Sequence, residues 1–96
     1  MAKRRISDLP VFDAAEHLDT EEAQRAYLSA ILEEGDTELF LQALGDVAKA
    51  KGMSEIAEKS GLGRESLYKA FAPGKKPQFE TVFKVARAAG LEIRIL

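Results

Sequence analysis

The tightest constraint on this chain is a three-residue corner, Gly61-Leu62-Gly63, set between residues 54–60 and 64–71, which both read as short helices. So short a break permits only a sharp turn, the layout of a helix-turn-helix. Gly61 can take the positive φ that the corner needs, and Ala57 must be small where the second helix crosses it. Ile56, Leu62, Leu67 and Ala70 then fill the angle, which leaves Arg64, Glu65, Tyr68 and Lys69 on the outer face of the second helix. Arg and Lys near the start of that helix, with no outward apolar residue except an amphipathic Tyr, suit phosphates and base edges. Ser54, at the start of the first helix, and Ser66, in the second, join them as candidate DNA-binding residues. A glycine corner also occurs in plain helical bundles. The joint fit of Ala57, Gly61, Leu62, Leu67 and Ala70 favours the helix-turn-helix.

Ninety-six residues suffice for one domain with a single core. Hydrophobic residues at 46% and charged residues at 31% are ordinary globular values and argue against wholesale disorder. The absence of Cys removes disulfides and thiolate metal sites, and His17, the one histidine, has no second ligand of its kind, so no metal and no cofactor are expected. A single His and no glycine-rich phosphate loop leave nothing that reads as an enzyme. Residues 1–5 resemble the start of a signal peptide only until Ser7, Asp8 and Pro10 interrupt the apolar run it would need. With no stretch of membrane-spanning length, no membrane partner and a cytoplasmic location are expected.

The formal net charge of −2 hides two opposite halves. Residues 1–48 hold four basic and eleven acidic residues, net −7, whereas residues 49–96 hold ten and five, net +5. The basic half contains the helix-turn-helix, which points to nucleic acid. For the acidic half, a basic partner and a merely solvated face stay open.

Residues 1–11 form a flexible arm with a basic tripeptide, Lys3-Arg4-Arg5, to which no role is assigned. Residues 12–52 hold the N-terminal helices. Asp13 and Glu16 have capping-box spacing and could open one turn through Leu18, with His17 at the surface. A longer helix starts at Asp19 or Thr20, shows an apolar stripe of Ala23, Ala26, Tyr27, Ala30 and Ile31 widened by Leu28 and Leu32, and ends at Gly35. Asp36 caps the next helix, whose face is Leu39, Phe40, Ala43, Leu44 and Val47 and whose stop is Gly52; Leu41 lies off that stripe. After the helix-turn-helix (53–71), Pro73, Gly74 and Pro77 display Lys75 and Lys76 on a loop placed to clamp a phosphate. Residues 79–96 complete the domain. Phe79, Val82, Phe83, Ala86 and Ala89 make a final amphipathic helix capped by Gly90, with Lys84 and Arg87 outside, and residues 91–96 alternate as a strand.

These residues resemble a known family. Residues 54–91 are similar to the Cro/repressor-type (XRE) helix-turn-helix proteins, and residues 12–96 to the addiction-module antidote proteins, the HigA-like antitoxins. The runs that carry the likeness are 43–53, 61–70 and 79–85, read as ALGDVAKAKGM, GLGRESLYKA and FETVFKV. The resemblance implies a mainly α, five-helix repressor-like fold, operator binding as a homodimer and repression of the chain's own operon. It also implies neutralisation of a RelE/ParE-like toxin, a small basic ribonuclease or gyrase poison. Two residues depart from the pattern. Gly63 stands where a capping Ser or Thr is usual, and Ser60 where an apolar residue is common, thinning the core between the two helices. Two other functions fit the residues: a free-standing phage-type repressor without a toxin partner, and a helical protein-interaction module that never meets DNA.

An apolar strand needs a partner, and a second copy is always at hand. A two-fold axis makes the pairing antiparallel. Centring it on Ile93 sets Leu91 against Ile95 and Glu92 against Arg94, so both faces agree, whereas centring on Glu92 or Arg94 opposes like charges. The expected dimer interface is therefore Phe83, Leu91, Glu92, Ile93, Arg94 and Ile95. Glu21, Glu22, Glu33 and Glu34 are expected at the edge of a toxin contact.

Overall fold

The computed structural model describes residues 18–95. The expected arm at 1–11, the capping-box turn from Asp13, His17 and Leu96 lie outside that range. Five helices follow one another: α1 Glu21–Glu34, α2 Thr37–Lys51, α3 Met53–Ser60, α4 Arg64–Ala70 and α5 Phe79–Ala88. The fold is mainly helical, with no strand among the described residues.

The helix starts follow local chemistry. Thr20 Oγ1 accepts from the Ala23 amide at 3.0 Å and Asp36 Oδ1 from the Leu39 amide at 3.0 Å, each satisfying an otherwise orphaned donor. Gly35, at φ +72°, and Gly61, at φ +75°, close α1 and α3 in the left-handed region where a Cβ is penalised. Gly90 at φ +81° closes α5 in a Schellman turn: its amide donates to Arg87 O and that of Leu91 to Ala86 O, both at 3.0 Å.

α2 is the central element. It packs against α1 on one side and against α3 and α5 on the other, while α3 also meets α4 and α5. Leu44 and Val47 of α2, Ile56 of α3, Leu67 of α4 and Val85 of α5 are the largest fully buried side chains. One continuous core thus receives a contribution from every helix, with Leu28 and Ile31 from α1.

Two expected faces are corrected. In α1, Leu28 and Ile31 are buried with Gln24, while Ala26 and Ala30 are exposed and Leu32 is 63% exposed. The helix is turned so that Leu28, with more apolar surface than the alanines, goes inward. Gln24 is tolerated there because its Nε2 donates to Leu18 O at 2.9 Å, folding the chain before α1 onto the helix and burying Leu18. In α5 the buried face is Val85, Ala86 and Ala89, with Val82 half-buried; Phe79 stays 73% and Phe83 38% exposed, their rings 5.9 Å apart. The buried residues of α5 and its cap all lie from Val85 onward, so the first turn of the helix projects beyond the core. Ser60 has a second role beside the core. Its hydroxyl donates to Ala57 O and accepts from the Leu62 amide, both at 3.3 Å, which ties the corner itself.

The expected strand is also absent within the chain: residues 91–95 carry no regular structure. A strand exists only with a ladder partner, and no described segment offers one. Arg94 instead meets Glu92 of its own chain, Nη2 to Oε2 at 2.8 Å.

α1 and α2 are joined by a polar contact as well. The Tyr27 hydroxyl donates to Asp46 Oδ2 at 3.2 Å. Burial first, then the adjacent Asp46 charge and this hydrogen bond, push the Tyr27 phenol up to about 12.

Candidate nucleic-acid interface

α4 is seven residues long, well short of what persists alone in water, so its place is set by packing. Leu67, fully buried in the common core, pins its inner face where α4 packs on α3. Its end is held by Phe71 on α2, where Gly45 permits the approach: a Cβ on Gly45 would lie 3.2 Å from Phe71 Cβ. Gly45 belongs to the run 43–53 that carries the family likeness, but the sequence assigns it no packing role. A glycine inside a helix, next to the buried Ala43 and Leu44, was the available signal for a close crossing. Gly63 opens α4 without a side-chain cap, as expected from its lack of a hydroxyl.

With Leu67 inward, Arg64, Glu65, Ser66, Tyr68 and Lys69 are all exposed, Tyr68 by 42%. Ser54 is exposed in the first turn of α3, which begins one residue before it, at Met53. Lys75 and Lys76 are exposed on the loop that follows α4. There Ala72, Pro73, Gly74 and Lys75 form a turn in which the Lys75 amide donates to Ala72 O at 3.1 Å and Gly74 has φ +80°. That is type II chemistry, Pro at the second position and Gly at the third. Leu41, off the main stripe of α2, lines a cleft beneath this turn with Phe71 and Pro73.

The pairing of charges divides the surface. Arg25, Lys51, Lys59, Lys84 and Arg94 each lie within 4 Å of a carboxylate. Among the described residues Arg64, Lys69, Lys75 and Lys76 have no such partner, and neither does Lys49 at the end of α2. Lys49 was not among the residues singled out from sequence. Its ammonium lies 6.0 Å from the centre of the Tyr68 ring, and the Arg64 guanidinium 5.8 Å from the same centre. The unneutralised cations are therefore gathered on α4, the loop after it and the adjoining end of α2. Arg87, the remaining one, sits over Phe83 at 5.9 Å.

The residues expected at a dimer interface come together elsewhere. Phe83 and residues 91–94 line one cleft with Arg87, and Ile95 is 99% exposed beyond it. On the other side of the same segment Leu91 and Ile93 border an apolar groove with Leu32, Phe79 and Val82. Of the acidic residues of α1, Glu21 spans Arg25 and Lys51, while Glu22, Glu33 and Glu34 are exposed. No group of three or more His, Asp or Glu that could hold a metal lies among the described residues, and none of the described helices is long and apolar enough to cross a membrane.

A family model described as "Probable addiction module antidote protein" matches residues 8–96. The chain belongs to that antidote family. A relative from Haemophilus influenzae (strain ATCC 51907 / DSM 11121 / KW20 / Rd), described as an uncharacterized protein, is 49% identical over 84 residues, covering 88% of this chain and 87% of its own. No solved structure matches this antidote-family chain. The matched region takes in all five helices, so the α3–α4 corner and the cations around it lie inside the antidote domain.

Proposed function

We propose that this antidote-family protein is a DNA-binding antitoxin that represses its own operon and neutralises a small basic toxin of the RelE/ParE-like kind. The observation that carries the DNA reading is the concentration of carboxylate-free cations on α4 and its flanks, while five cations elsewhere are paired. α3 and α4 then act as a helix-turn-helix of the Cro/repressor type, α4 entering the major groove and Ser54, Lys75 and Lys76 reaching phosphates. The test is equilibrium binding to the DNA upstream of the reading frame. Arg64→Ala should cost about 1 to 3 kcal/mol on that site and relax its preference over unrelated DNA. Lys75→Ala with Lys76→Ala should weaken all duplexes alike and flatten the salt dependence. Equal binding by wild type and Arg64→Ala at every salt concentration refutes the assignment.

Family membership supports a toxin partner. The exposed carboxylates of α1 suit a basic one, so Glu22, Glu33 and Glu34 are assigned to that contact and association should slow as salt rises. Hydrogen exchange of a co-purified complex protected only over residues 54–96 would refute this placement.

Operator binding as a dimer is assigned to residues 91–96. The Leu91 amide already donates to Ala86 O. A hydrogen-bonded Ile93 pair at the centre would need that donor again, whereas a non-hydrogen-bonded Ile93 pair uses the amides of residues 92 and 94. The second register is therefore assigned, with the two Ile93 side chains at the closer spacing of such pairs. Deleting 91–96 should yield a monomer with weakened operator binding, and a truncated chain that still sediments as a dimer overturns it.

A further inference from the structure

Two lysines close α2, and the structure uses them differently. Lys51 has a side chain only 14% exposed and reaches Glu21 Oε1 at 3.4 Å, so it ties α2 to α1. Lys49, two residues earlier, is exposed, has no carboxylate within 4 Å among the described residues, and leans on the ring of Tyr68 from a different helix. A cation in the last turn stabilises a helix C-terminus, and both Lys49 and Lys51 lie in that turn. The dipole alone does not explain why Lys49 is carried across to α4.

Arg64 approaches the same ring. Two like charges sharing one aromatic ring repel each other; the π-cloud offsets part of that repulsion, and no carboxylate is supplied to offset the rest. A ligand with closely repeated negative charges would, and a phosphodiester backbone presents one charge about every 3.4 Å along each strand. We propose that Lys49 is a phosphate-binding residue of the nucleic-acid interface, oriented by the Tyr68 ring, so that the interface extends from α4 onto the C-terminal turn of α2. This rests on the DNA reading above and deepens it. Tyr68 acts here as a positioning residue, through its ring rather than its hydroxyl.

The experiment titrates the full chain against two duplexes of equal length, the DNA upstream of its reading frame and an unrelated sequence, across a KCl series. Lys49→Ala should weaken both duplexes by a similar factor and reduce the slope of log K against log salt by about 0.9, one phosphate contact. Lys51→Ala should leave the slope unchanged. Tyr68→Leu should lower it, with Lys49→Ala then adding less than it does in the wild type. Thermal melts with an unchanged midpoint establish that the exposed Lys49→Ala variant is folded. Wild type that binds the upstream duplex while Lys49→Ala shows an unchanged slope overturns the role of Lys49 alone. Wild type that holds neither duplex overturns the DNA reading and Lys49 with it.

Discussion

Leu67→Ala tests whether one side chain holds α4 in place. Leu67 is 0% exposed and is the one buried residue of α4. Removing its isobutyl end costs the transfer free energy of the lost carbons plus a cavity term, together about 3 to 5 kcal/mol for a site packed on every side. A domain of this size has about 5 to 15 kcal/mol in total, so the variant forfeits a large fraction of it. At roughly 4 to 8 °C per kcal/mol, the midpoint of thermal unfolding should fall by at least about 12 °C. The loss should also be uneven. A seven-residue helix has no independent stability, so α4 amides should exchange faster than those of α2 at temperatures where the variant remains folded. Circular dichroism melts and native-state hydrogen exchange supply the two readouts. Leu67→Met, which conserves volume, should cost under about 1.5 kcal/mol and is the control. A Leu67→Ala penalty below about 1 kcal/mol, or α4 and α2 exchanging alike, would refute the claim that Leu67 anchors α4.

Gly45→Val places a branched side chain where even a Cβ would lie 3.2 Å from Phe71 Cβ, and should destabilise by about 1 to 3 kcal/mol in urea titration despite the gain in helix propensity. Gly63→Ser occupies an extended N-cap, φ −70° and ψ 143°, and should stabilise by a few tenths of a kcal/mol, raising the melting midpoint by roughly 1 to 3 °C. Tyr27 holds its proton more tightly folded than unfolded, with the folded value at about 12, so its contribution is complete below pH 10 and is lost as pH rises from 10 through 12. Wild type should therefore lose stability over that window faster than Tyr27→Phe in alkaline denaturation, and parallel curves would contradict it.

Much was legible in the sequence because it is written in local chemistry. Thr20, Asp36, Gly35 and Gly61 set helix starts and stops through backbone groups a few residues away, and the periodicity of α2 named its buried face. The corner at 61–63 and the outward set Arg64, Glu65, Tyr68 and Lys69 follow from the same short-range rules. What tertiary structure decided is how far each helix is turned and what crosses it. Gln24 went inward because Leu18 O is there to accept from it, and Phe79 stayed out because α5 overhangs its neighbours. Gly45 and Lys49 acquire meaning only from Phe71 and Tyr68, which lie 26 and 19 positions further on. Residues 91–95 mark the limit from the other side: alternation along a chain prescribes the faces of a strand, but a ladder requires a second strand, and this chain does not contain one among its described residues.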